Sequence, residues 1–202
     1  VLHGLPFFNT SSCVAPFIRS LVGCYTLAGF QFFVSFSLHR EKTFDMNKEI
    51  LYIAEQMKDA FAGDPWFGRN AKALLSEVNE RNAFEKPNGQ HSILELVWHM
   101  TTWRAFVISR FTREAGKDQH YFESRDWREL DHNDKSLWQQ GLQLLQQTQE
   151  ELIALLQKQS DDLLDRKVEE RNYTYRKLLY GVVQHDIYHL GQITYILKLL
   201  RG

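Results

Sequence analysis

Three histidines stand where a helical core would ordinarily be aliphatic. In GVVQHDIYHLGQI, residues 181–193, His185 and His189 are four apart. A helix places such a pair on one face, one turn apart. They interrupt a seam that otherwise reads Leu178, Val182, Ile193, Ile196 and Leu200. In SILELVWHMTTWR, residues 92–104, His99 sits between Leu96 and Trp103 in the same way. Burying three imidazoles costs free energy unless each is satisfied. One divalent metal satisfies all three, because neutral imidazole is a common metal ligand. The competing account gives each ring its own carboxylate or carbonyl partner in the core.

Other metal and catalytic patterns fit less well. A zincin needs H-E-x-x-H with glutamate as base; here Asp186 takes the second position. On a regular helix it points about 100° away from His185, toward a solvated face. A di-iron bundle needs two Glu-x-x-His motifs and two further glutamates, but only Glu129 to His132 has that spacing. No nucleophile elbow supports a Ser-His-Asp triad. Candidates for a general base or a supporting contact are Glu95, Asp186 and Gln192. Each also has an ordinary account: helix cap, solvated face and packing. His120 and His132 lie in a polar connection, and His91 precedes the Ser92 cap as a loop residue, with an approach to the site as the minor alternative.

These side chains need helices to position them. Asn47 is expected to cap a first helix that carries Ile50, Ala54, Met57 and Phe61 on one stripe. Gly63, Pro65 and Gly68 end it. A short helix over residues 71–78 follows, then a loop, NAFEKPNGQ, over 82–90. Ser92 with Glu95 three residues on makes a capping box. It opens a long helix whose stripe is Ser92, Leu96, His99, Trp103 and Phe106. Residues 115–134 form a polar connection, partly ordered by Tyr121, Phe122 and Trp127. A third long helix over 135–159 carries the seam Leu137, Gly141, Leu144, Thr148, Leu152 and Leu155. A fourth runs from 174 to 200. No stretch alternates with period two, so the expected class is all-α, a four-helix bundle.

The chain of 202 residues has a net charge of −1 and no extended basic run after Met46, which argues against a phosphate-tracking surface, so no nucleic-acid partner is expected. Its two cysteines, Cys13 and Cys24, both precede Met46. Residues 1–45 read differently from the rest. Residues 20–38, SLVGCYTLAGFQFFVSFSL, are uncharged and long enough to be a membrane-span candidate. Three readings stand: a start at Met46, a membrane anchor or export signal, or a structural extension. The domain expected to fold is 46–202. The cytoplasm is the expected compartment, with anchoring or export through residues 1–45 as the alternative.

The paired motifs SILELVWHMTTWR and GVVQHDIYHLGQI, with AGDPWFGRNAKALLSEV before them, resemble the DinB-like (DinB/YfiT-like) family. The resemblance covers Met46 to the C-terminus, and the family does not need the first 45 residues. It implies an up-down-down-up four-helix bundle. By position it implies His99, His185 and His189 as ligands of zinc or nickel, with water completing the coordination. Some relatives transfer thiols such as bacillithiol or mycothiol, some isomerise maleylpyruvate with a thiol, and others are called metal-dependent hydrolases. The expected function is therefore a metal-dependent hydrolase or thiol-dependent transferase acting on a small molecule, with a homodimer as a further expectation. The alternative is a non-catalytic metal-binding stress or sensor protein.

Overall fold

The structure, a computed structural model, describes residues 47–201. The expectations for residues 1–45 and for Met46 as a start lie outside the described residues. In chain order the helices are α1 (Lys48–Ala62), α2 (Ala71–Leu75), α3 (Glu80–Phe84), α4 (Ile93–Thr112), α5 (Gln119–Glu123), α6 (Ser136–Leu156) and α7 (Tyr175–Arg201), with 3₁₀ turns at Pro87–Gly89 and Asp161–Leu163. Among the described residues there is no strand, only an isolated bridge between Lys167 and Thr174.

Residue pairs across the long helices set their directions. From α4 to α6, Trp98 Nε1 donates to the Leu137 carbonyl and Arg104 reaches the Leu145 carbonyl, so these helices run parallel. From α4 to α7, His99 meets His185 and His189, Arg104 meets Asp186, and the Arg110 carbonyl accepts from Tyr175; these helices run antiparallel. Glu49, at the start of α1, pairs with Arg176 at the start of α7. The result is an up-down-down-up bundle in which α4 packs on both α6 and α7, and α1 closes the other side.

Local chemistry explains the ends. Ser92 Oγ accepts from the Glu95 N–H, and the Glu95 carboxylate accepts from the Ser92 N–H at 2.8 Å, the expected capping box. α1 departs from expectation. Asn47 holds the cap position but makes no side-chain cap bond. Asp161, more than a hundred residues away, accepts from the Glu49 and Ile50 N–H groups at 3.1 and 2.8 Å. The helix expected over 71–78 is shorter, and a separate helix, α3, enters the stretch expected to be loop. Asn79 caps it, and Ala83 and Phe84 anchor it in the core.

The α6 seam is also rotated from the expected one. Trp138, Gly141, Leu145, Thr148, Gln149, Leu152 and Leu156 are buried, while Leu137, Leu144 and Leu155 are half-buried. Leucines occur on several faces of α6, so periodicity alone did not select the inward one.

The apolar core falls into two clusters. One holds Ile50, Ile53, Met57, Phe106, Leu152 and Val182. The other holds Phe61, Leu96, Met100, Leu145, Leu190 and Ile193. Between them along the helices lies a buried polar layer that includes His99, Arg104, Thr148, Gln149, Asp186 and His189. Buried apolar side chains contribute ~1.5–3 kcal/mol each, so a polar layer in their place needs its own internal partners.

Candidate metal centre

α4 presents His99, and α7 presents His185 and His189 one turn apart. Their Nε2 atoms face one another. His185 Nε2 lies 2.9 Å from His99 Nε2 and 3.0 Å from His189 Nε2. His99 and His189 are buried and His185 is half-buried. The candidate ligand atoms of the three lie within 4.8 Å of one another, and no fourth His, Cys, Asp or Glu among the described residues joins the cluster.

The other ring nitrogens decide the protonation. His189 Nδ1 lies 2.6 Å from Gln192 Oε1, which can only accept. The proton therefore sits on Nδ1, and Nε2 presents a lone pair. Gln192 is held in turn by its Nε2, which donates to Tyr188 Oη at 3.2 Å. His99 Nδ1 lies 2.5 Å from Asp126 Oδ1, but too far off-line to count as a hydrogen bond. A carboxylate oxygen that close accepts a proton's positive end and not a lone pair, which places the His99 proton on Nδ1. Asp126 is fixed by Trp103, whose Nε1 donates to its Oδ1 at 2.7 Å.

Two lone pairs thus point at His185 Nε2, which carries at most one proton and can satisfy only one of them. A cation at the common point satisfies all three. Nitrogens held ~2.0–2.1 Å from one ion stand roughly 2.9–3.4 Å apart at angles between right and tetrahedral, which matches the two separations measured from His185. The residues present fit a divalent metal.

Electrostatics favour neutral rings. Burial pushes His99 down to about 4, helped by repulsion from His185 and His91. Burial likewise pushes His189 down to about 4, with repulsion from His185 next. Neutral imidazole is the form that coordinates.

The connection between α4 and α6 completes the site. Trp127 stacks on His99 with centroids 3.9 Å apart and on His91 at 3.8 Å, a three-ring pile. Arg128 Nη2 donates to Thr102 Oγ1 at 2.8 Å, and Phe122 packs edge-on to Phe106. Arg110, buried on α4, donates to Glu170 Oε2 at 2.8 Å and to the Lys117 carbonyl. This connection was expected to be only partly ordered. It supplies Asp126 and Trp127, neither of which had been assigned to the site.

The three candidate bases are placed as follows. Glu95 is committed to the α4 cap and to Lys86 Nζ at 2.6 Å. Burial raises its carboxyl, but bonds from Lys86 and Ser92 outweigh that and leave it lowered. Gln192 holds His189. Asp186, expected on a solvated face, is buried at 5 % exposure. Arg104 explains the difference: its Nε and Nη2 donate to Asp186 Oδ2 at 3.0 and 2.6 Å. Asp186 Oδ1 remains 3.9 Å from His185 Nδ1.

A cleft of about 250 Å³ reaches His185, with apolar walls from Trp103, Phe106, Val107, Leu178 and Val182. Trp103 therefore both lines the cleft and holds Asp126, whereas Tyr188 is exposed and lines neither. The family model of the DinB superfamily matches residues 66–193, a span that contains all three histidines. The chain belongs to the DinB superfamily. No curated protein matches this DinB-superfamily chain, and no solved structure matches it. Among the described residues no helix is long and apolar enough to cross a membrane.

Proposed function

We propose that this DinB-superfamily chain is a metal-dependent enzyme acting on a small molecule, by hydrolysis or by transfer of a low-molecular-weight thiol, with zinc or nickel held by His99, His185 and His189. The observation that carries the reading is access. Three imidazole nitrogens converge, and the least buried of the rings lines a cleft. A purely structural metal site is closed by a fourth protein ligand, and the cluster has none among the described residues.

A divalent ion held by three neutral ligands keeps its full charge and lowers the pKa of a water or thiol bound to it. The chain's own residues do the rest. Gln192 and Asp126 hold two rings with their Nε2 lone pairs inward. Trp127 covers the outer face of His99. The apolar walls bring a substrate to the His185 side and exclude water around it. Residues 46–202 contain no cysteine, so thiol chemistry in this domain takes its thiol from a cosubstrate.

The test is to purify the full chain, measure bound metal, and assay the zinc- and nickel-loaded forms against hydrolysable esters and amides. The same forms are then given low-molecular-weight thiols together with a soft electrophile. Turnover that chelator abolishes and metal restores supports the reading. Stoichiometric metal that no thiol or anion can perturb spectroscopically overturns it in favour of a structural staple.

A further inference from the structure

Lys177, Gly181 and His185 follow one another at intervals of four along α7, and all three line the cleft. Gly181 is the odd member. A helix-interior glycine weakens a helix relative to alanine, and usually some close approach requires it. None does here: a Cβ built on Gly181 meets nothing within 4 Å. The missing side chain leaves space in the cleft rather than room for a neighbour.

Among the described residues that line the cleft, Lys177 carries the one permanent charge. It is exposed, so it marks the mouth. Its Nζ stands 5.7 Å from the Tyr173 ring centroid, and no carboxylate among the described residues pairs with it. At the other end His185 belongs to the histidine cluster. Eight residues of helix separate the two ends by about 12 Å. An apolar cavity of ~150 Å³ holds a benzene ring, so a cleft of about 250 Å³ accommodates about ten non-hydrogen atoms.

We propose that the cleft selects a small, elongated substrate with an apolar body and one anionic group. The anion pairs with Lys177 at the mouth, the body fills the space beside Gly181, and the reacting end lies at His185. This rests on the catalytic reading above. The apolar walls reject a sugar-like or multiply charged body, because they offer its polar groups no partners. The unpaired ammonium rejects a cationic one.

The test uses the full chain, zinc-loaded and chelator-treated, titrated calorimetrically with 3-phenylpropionate, 3-phenylpropan-1-ol and 3-phenylpropylamine. The carboxylate should bind at least fivefold more tightly than the alcohol in both metal states, and the amine most weakly. Lys177→Gln should bring the carboxylate within twofold of the alcohol. Gly181→Leu should weaken all three at least tenfold while zinc still binds. Lys177→Gln alters only an exposed side chain, so the anion test stands even if Gly181→Leu disturbs the helix. If wild-type protein binds zinc but shows no preference for the carboxylate, the inference fails and the metal reading survives. A preference that chelation abolishes and Lys177→Gln leaves intact places the anion on the metal and overturns the role of Lys177. If the preference persists in a chain that binds no zinc, the catalytic reading fails and the cleft assignment stands.

Discussion

Replacing Arg104 by Met should destabilise the protein by about 3–5 kcal/mol, because it strands a buried carboxylate. Arg104 and Asp186 are 2 % and 5 % exposed. Both contacts, from Nε and Nη2, go to one oxygen of Asp186. Methionine keeps much of the arginine stem's packing, so the loss is mainly of charge and hydrogen bonds. A cost of that size is a large share of the ~5–15 kcal/mol that typically separates folded from unfolded. Replacing the pair together, Arg104→Met with Asp186→Leu, removes both charges and should return stability to within about 1–2 kcal/mol of wild type. The pH dependence has a definite sign. In the wild type, burial raises the Asp186 carboxyl, but the charge and hydrogen bonds of Arg104 outweigh it and leave it lowered. That group stabilises above its unfolded pKa of ~3.9, and the contribution is lost as pH falls through the lower folded value. In Arg104→Met the largest opposing influence is gone and burial dominates, so the folded pKa lies above the unfolded one. Stability is then present at low pH and lost as pH rises. The gap between variant and wild type should therefore be widest near neutral pH and narrow toward pH 4. Urea unfolding of the chelator-treated chain, followed by circular dichroism at pH 7.5 and 5, measures it. A single-variant cost under ~1 kcal/mol at pH 7.5, or a double variant no more stable than Arg104→Met, would refute the reasoning.

His185→Ala should weaken zinc binding by more than ~100-fold, beyond the loss typical of a supporting contact, while the chelated protein melts within a few degrees of wild type. Unchanged affinity with a collapsed metal-free melt would make His185 a packing residue. Asp126→Asn should lower metal affinity about 10–100-fold by loosening the hold on His99; competition with a chromogenic chelator reads it, and equal affinity would remove Asp126 from the site. The chelated protein should lose stability as pH falls from ~6.5 toward 4. His99 and His189 are held at about 4, below their unfolded value, by burial first and His185 second. Folding therefore takes up no proton there above that window and is opposed inside it. A denaturation midpoint that stays flat from pH 7 to 5 would contradict this.

Local periodicity and capping were enough to reveal the candidate histidine pair, the α4 start and the helical class. An interval of four places His185 beside His189 whatever the tertiary structure, and Ser92 finds its Glu95 partner within one turn. His99 was legible because it breaks an apolar stripe on the one helix whose cap was unmistakable. What sequence could not show depends on partners far along the chain. The α1 cap comes from Asp161, and Asn47, the local choice, goes unused. Asp186 lies about 100° around α7 from His185 and reads as solvated until Arg104 of α4 packs over it. Asp126 and Trp127 come from a polar connection with no periodic signal. Trp103 and the face of His99 hold them in place, and Thr102 holds the neighbouring Arg128, contacts that exist only once α4 is folded beneath them. Residue types and spacing thus determined which rings could bind a metal. Packing between helices decided which groups hold those rings, because a carboxylate's role follows from what buries it and pairs with it, and neither is local in sequence.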